Sequence, residues 1–247
     1  MEEKGISKAQ EMVGHAMKRV AIKLYGTQIG YTIVLKSKIE ASLGNIELKK
    51  AFDELDQSLK AVNMDSCQYF HSILFLDAIS EIEIYFSRLI QIIVKEYPEK
   101  IGSTNFKLSE VINADSLDDL ITRASDEFIN KLMYKKPMDY LESFCEVLSI
   151  DKNKFKHLWP VFVEAKARRD LGVHNSWICN STYLRKMKEA NIDTDAKEGD
   201  LMIPDEENYM KNKVVNLVEL VLNIFEEVIA KHSRKKTPSA ADQAANI

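Results

Sequence analysis

Apolar residues recur at intervals of three and four along most of the chain, which is the spacing of one face of an α-helix. The pattern predicts an all-α protein with helices over residues 6–24, 31–43, 46–62, 66–97, 116–132, 137–148, 161–173 and 205–231. Because the segment 66–97 is apolar on more than one face, we expect it to be the central buried helix. Ser116, Asp151 and Asp205 are predicted to cap the elements that follow them. Pro160 suits a first helical turn.

Breaks in the pattern set the predicted boundaries. Gly26 and Gly30 are expected to interrupt the first helical stretch. Gly199 and an alternation of polar and apolar residues over 191–203 predict a loop or a short β-hairpin after the seventh helix. Residues 233–247 have the polar composition of a disordered tail.

These boundaries divide the chain into three predicted parts. Residues 1–65 form an N-terminal helical layer, residues 66–232 form the main helical domain, and a tail follows. Only 8 glycines and 5 prolines occur in 247 residues, which favours long helices over a sandwich or barrel.

The composition also bounds the cellular setting. The most apolar stretch, residues 73–94, contains four charged side chains, and the first thirty residues hold no uninterrupted apolar run. We therefore expect neither a membrane span nor a signal peptide. The three cysteines are far apart and in no metal-ligand spacing, so we expect reduced thiols, no structural metal and a cytoplasmic protein.

Charge is unevenly distributed along the chain. The net charge is −4, yet residues 151–190 hold nine basic and four acidic side chains. A local excess of this kind can attract a polyanion such as nucleic acid. A solvated basic face explains the same count equally well.

One group of residues in this basic segment carries recognisable chemistry. Residues 168–175 read RRDLGVHN, whereas no phosphate-binding loop, HExxH, GxSxG or EF-hand pattern occurs. The forked donors of arginine suit a phosphate, and histidine transfers protons near neutral pH. An ordinary helix terminus with cations at its negative end is the alternative explanation of the same residues.

The segment resembles the motif of the HEPN superfamily, whose ribonucleases carry R-x4-6-H with a polar residue after the arginine. Arg169, Asp170 and His174 match this motif, and Asn175 is the residue that commonly follows the histidine. Arg168 also satisfies the longer spacing, so the sequence leaves open which arginine matters. The resemblance extends over about residues 66–232, from the buried helix to the closing helix.

This resemblance implies a HEPN-like helical bundle and a metal-independent endoribonuclease without a cofactor. It also implies an RNA substrate, a homodimer with a composite active site, and a role as a toxin or antiviral defence effector with an antitoxin or another regulatory partner. The alternative is a non-catalytic module of the same fold that binds RNA, a nucleotide or a protein.

Helical geometry adds expectations about the motif. At about 100° per residue, Asp170 and His174 lie within about 40° of each other, so we expect Asp170 to hydrogen-bond the imidazole. Arg169 and His174 lie about 140° apart, so a second copy of the motif is expected to complete the site. His174 would move protons between the 2′-OH and the leaving oxygen, while Arg169, with Arg168, would stabilise the phosphate.

Neighbouring side chains have both a binding and a packing interpretation. Trp177 and Tyr183 could stack on an RNA base or pack the turn onto the bundle. Asn175 could touch substrate or cap the turn. Glu164 and Arg168 are expected to form a surface ion pair.

The buried helix carries two acidic residues, Glu81 and Glu83. One of them could face the motif and pair with an arginine, and at least one is expected to be exposed to solvent.

Overall fold

The all-α prediction is confirmed in the computed structural model of the chain, which describes residues 3–102, 106–204 and 207–232. The helices are α1 (Glu3–Ser42), α2 (Ile46–Leu59), α3 (Ser66–Glu96), α4 (Leu108–Ile112), α5 (Leu117–Met133), α6 (Pro137–Leu148), α7 (Trp159–His174), α8 (Ser181–Glu189) and α9 (Glu207–His232). The predicted cap Asp205 and the predicted tail 233–247 lie outside the described residues.

Helix α1 corrects one prediction, because it runs without a break through Gly26 and Gly30. A glycine inside a helix costs only about 0.5–1 kcal/mol relative to alanine. The burial of Val20 and Leu24 against the bundle offsets this cost. Gly30 also admits a neighbour, since a Cβ at this position would lie 3.1 Å from Cδ1 of Leu74 on α3.

Helix α3 is the centre of the bundle, as predicted from its apolar faces, and it packs against α1, α5, α6 and α7. Asp65 caps it with a reciprocal capping box to Gln68. Its middle belongs to an aromatic cluster. The ring centre of Phe86 lies 4.9 Å from that of Phe144 and 5.0 Å from that of Phe162. This cluster fixes the start of α7 against α3 and α6.

The termini of the other core helices follow their local sequence. Ser116 caps α5 by accepting a hydrogen bond from the backbone N–H of Asp119, and Pro137 opens α6. Asp151 caps a short 3-10 turn, as predicted, through the N–H of Asn153. Pro160 lies in the first turn of α7.

The segment after α7 contains a further helix and no β-hairpin among the described residues. Helix α8, which the pattern did not predict, is capped by Asn180. One isolated antiparallel bridge joins Ile178 to Leu201. The loop over 191–203 therefore folds back onto residues 177–179, where the N–H of Met202 donates to the carbonyl of Trp177 over 2.8 Å.

Among the described residues, every helix is too short or too polar to cross a membrane.

Candidate active site

A surface cavity of about 630 Å³ lies beside the C-terminal half of α7. The end of α5, the turn into α6, and helices α7 and α8 form its walls. Most of the charged side chains in the lining are cationic: Lys135, Lys136, Lys166, Arg169, Arg185 and Lys186. Asp170 and Glu189 are the carboxylates in this lining, so the cavity has an excess of positive charge for an anionic ligand.

The cavity brings together the two ends of the motif. Arg169 and His174 both line it, although they lie on different faces of α7. Both ends of the motif therefore border one cavity of a single chain, and the expected completion of the site by a second copy stays a prediction. The cavity extends around the end of α7, and the arginine side chain is long enough to reach it.

Arg169 is held by carboxylates on two helices. It forms an ion pair with Glu83 of α3, and its Nη1 lies 3.2 Å from Oδ1 of Asp170. Glu83 also pairs with Lys166, so one acidic side chain of the central helix orders two cations of α7. Glu81 instead pairs with Arg19 of α1, and neither glutamate is exposed, which corrects the expectation for this pair.

Asp170 does not perform the role expected of it. Its Oδ2 accepts a hydrogen bond of 2.9 Å from Nζ of Lys186 on α8, and no hydrogen bond to His174 forms within the described chain. Arg169 and Lys186 both contact this carboxylate, and charge-assisted contacts of this kind are the stronger ones. His174, the last residue of α7, is exposed at the cavity and free to meet a ligand.

Arg168 points away from the cavity into a buried polar cluster. Its Nε donates to Glu164 over 2.8 Å, and its guanidinium lies 4.1 Å from the ring centre of Tyr209. The expected surface pair is therefore buried, and Arg168 is not among the residues that line the cavity. This geometry distinguishes the two arginines, since Arg169 alone of the two faces the cavity.

Glu164 is the centre of this cluster. The hydroxyls of Tyr183 and Tyr209 donate to it over 3.1 Å and 2.8 Å, and Lys213 forms an ion pair with it at 2.7 Å. Burial alone would raise the pKa of Glu164, but the charges of Arg168 and Lys213 outweigh burial and hold the pKa below its usual value. The cluster connects α7, α8 and α9.

The two aromatic side chains predicted near the site serve packing. Trp177 is 5% exposed, and its ring centre lies 6.2 Å from that of Phe75 on α3. Tyr183 is buried with its hydroxyl on Glu164. Neither ring is therefore accessible for stacking on a base.

The turn after α7 has a strained backbone conformation. Ser176 and Trp177 both have positive φ, at 49° and 65°, a conformation that is strained for a bulky residue. Asn175 steadies the turn by donating from its side chain to the carbonyl of Ile178 over 2.6 Å. Asn175 thus caps the turn, which was one of its two predicted roles.

Gly172 makes this turn compatible with α7. A Cβ at position 172 would lie 2.5 Å from the ring of Trp177, closer than any real contact. The absence of a side chain at this position lets the indole lie directly on the helix. Gly172 is therefore a packing residue.

Several residues that line the cavity were not predicted as site residues from the sequence. Four residues line the cavity although they lie outside the motif in sequence: Lys135, Lys136, Lys186 and the almost fully exposed Tyr134. The charge excess over 151–190 was a signal for Lys186, whereas the α5–α6 turn gave no signal. The acidic residues on the buried helix were the signal for Glu83.

Comparisons of the chain with family models, curated proteins and solved structures found no match. A function for the chain is therefore argued from the motif and from the geometry of the cavity.

We expect Gly172→Ala to destabilise the fold by about 1–3 kcal/mol, because the added methyl group displaces Trp177. Urea unfolding measures this loss. Gly14→Ala in α1 is the matched control, since a Cβ there meets nothing within 4 Å and the change should stabilise α1 by about 0.5–1 kcal/mol. A Gly172→Ala protein as stable as the wild type would contradict the packing role.

We expect Glu164→Gln to destabilise the protein by about 3–5 kcal/mol at pH 7, because Arg168 and Lys213 then lack a buried counter-charge. Since folding lowers the pKa of Glu164, its charge stabilises the fold above the ordinary glutamate value of 4.5 and ceases to do so as pH falls through the lower folded value.

The difference in unfolding free energy between wild type and Glu164→Gln should therefore shrink in acid. Glu127→Gln, at an exposed α5 pair, is the control and should change stability by less than about 0.5 kcal/mol. A difference independent of pH would count against the role of the Glu164 charge.

Proposed function

We propose that the protein is an endoribonuclease that cleaves RNA by internal transesterification without a metal. The observation that carries the proposal is that Arg169 and His174, the ends of an R-x4-H motif, line the same cation-rich cavity. The charge of the cavity supports a polyanionic substrate. The exposure of His174 supports direct contact with it.

The chemistry uses groups that an RNA strand and the cavity supply together. The 2′-oxygen attacks the adjacent phosphorus while His174 takes the hydroxyl proton, and the bond from phosphorus to the 5′-oxygen breaks. A second proton-transfer group gives a proton to the leaving 5′-oxygen. The products are a 2′,3′-cyclic phosphate and a 5′-OH end, and DNA is not a substrate because it lacks the 2′-hydroxyl.

Arg169 stabilises the additional negative charge that develops on the phosphate. In the free protein its guanidinium faces Glu83 and Asp170, which hold it beside the cavity. A phosphate replaces part of this carboxylate contact, and Glu83 retains Lys166 as a partner. The arginine therefore moves to substrate without leaving an unpaired charge behind.

The protonation of the leaving oxygen needs a second proton-transfer group, and His174 is the one histidine among the described lining residues. The composite homodimer implied by the resemblance supplies a second His174 and stays a prediction. It predicts that specific activity falls when the protein is diluted to a monomer. The toxin or defence role and the antitoxin or regulatory partner likewise stay predictions.

A second candidate is a module that binds RNA or a nucleotide in the cavity without cleaving it. The pairing of Arg169 with Glu83, and of Asp170 with Lys186, favours this candidate, because the motif charges already neutralise one another. Both candidate functions need a phosphate-containing ligand in the cavity, and only the endoribonuclease cleaves it.

We expect His174→Ala to lower the rate of RNA cleavage by about 10²–10⁴-fold, since it removes the proton-transfer group. Arg169→Ala should lower it by about 10²–10³-fold through lost stabilisation of the phosphate. Cleavage of a labelled RNA is measured in excess EDTA, with a strand carrying a single 2′-deoxy substitution at the cleaved position as a second substrate.

His157→Ala is the matched control, because His157 is exposed and outside the cavity lining. Its cleavage rate should equal that of the wild type. Unchanged cleavage by His174→Ala, or cleavage next to the 2′-deoxy position, would refute the mechanism. RNA binding by wild type and variants without cleavage by any of them would establish the second candidate.

A further inference from the structure

Helix α1 has two apolar faces, and the bundle uses one of them. Val13, Val20 and Leu24 are buried on the bundle side. The opposite side presents large side chains that are each more than half exposed: Ile22, Tyr25, Ile29, Ile33, Ile39 and Leu43. A continuous exposed apolar face of this length is typical of an interaction surface.

The spacing of this exposed face is that of a helix–helix seam. Positions 22, 29, 36 and 43 repeat every seven residues, as do positions 18, 25, 32 and 39, and all of them are exposed. Five of the apolar side chains occupy this repeat: Ile22, Tyr25, Ile29, Ile39 and Leu43. From residue 22 to residue 43 the seam is about 32 Å long, which suits pairing with another long helix.

We propose that a second copy of this chain covers this face, with the two α1 helices packed antiparallel. The charges along the seam select this occupant and this direction. Lys18 and Glu40 are both exposed near opposite ends of the seam, about 40° apart around the helix, and neither forms an ion pair with a described residue. Antiparallel pairing places Lys18 of each copy beside Glu40 of the other, whereas parallel pairing places like charges together.

Lys36 fits the same arrangement. It lies in the seam among apolar residues, and the antiparallel register that sets residue 18 opposite residue 40 sets Lys36 opposite Ile22 of the second copy. Tyr25 of that copy is then about 4.5 Å further along the helix axis, within reach of the long lysine side chain for a cation–π contact. A polar residue at a seam position is a known means of fixing register.

The chain itself offers little to cover this face. The longest segment outside the described residues, 233–247, contains one large aliphatic residue, Ile247, against the apolar side chains along the seam. A specific dimer needs about 800 Å² from each partner, so the contact uses the full length of the seam. No described side chain of α1 lines the cationic cavity, so this face and the cavity are separate surfaces.

The molar mass in solution tests the proposal. At micromolar concentration we expect light scattering to give the wild type twice the mass of Ile29→Glu, because the substitution buries two charges at the middle of the seam. Ile112→Glu is the matched control on α4, at a similarly exposed isoleucine, and should keep the wild-type mass. Circular dichroism verifies that each variant is folded. Equal masses for the wild type and Ile29→Glu would overturn the proposal.

Charge reversal tests the direction of pairing. Lys18→Glu and Glu40→Lys should each weaken the dimer by placing like charges together, and the double variant should restore it because the pair is recreated with opposite polarity. A double variant as weak as the single variants would overturn the antiparallel arrangement. The α1 interface is separate from the interface that pairs two cavities in the composite homodimer, so RNA binding or cleavage by Ile29→Glu should equal that of the wild type. The mass test is therefore independent of the proposed function.

Discussion

Helix α7 carries Lys166, Arg168 and Arg169 into the protein, and the bundle depends on two carboxylates that neutralise them. Glu83 on the central helix pairs with Lys166 and Arg169, while Glu164 on α7 itself pairs with Arg168. An unpaired charge at such depth would cost several kcal/mol. The apolar core brings α3 and α7 together, but these ion pairs determine which way each cation of α7 points.

The two neighbouring arginines of α7 point in different directions and therefore make different contacts. Arg168 and Arg169 are neighbours in sequence, yet one stabilises the packing of α7 against α8 and α9 and the other faces the cavity. Glu83 holds the cavity arginine beside the cavity in the free protein. Under the proposed function, the phosphate of the substrate has to compete with this carboxylate for the guanidinium of Arg169.

The longer helices could be predicted from the sequence because their apolar spacing is local information, whereas the short helices α4 and α8 were not predicted. The predicted break at Gly26 and Gly30 was wrong, since tertiary packing of α1 on α3 outweighs the weak preference of glycine against helix. Within the site, the sequence indicated Arg169, His174 and the pairing of an arginine with an acidic residue of the buried helix, but not the partner of Asp170. Asp170 accepts its hydrogen bond from Lys186, sixteen residues further along the chain, and not from His174. No local sequence pattern contains this contact.

Gly172 and Trp177 share one volume, since the indole occupies the space that a side chain on the helix would need. The two positions are therefore not free to vary separately. During divergence of sequences with this turn, a larger residue at position 172 requires a smaller one at position 177, and an indole at 177 restricts position 172 to glycine. The turn that ends the helix of His174 is thus under a joint constraint on size, which acts independently of any selection on the chemistry beside it.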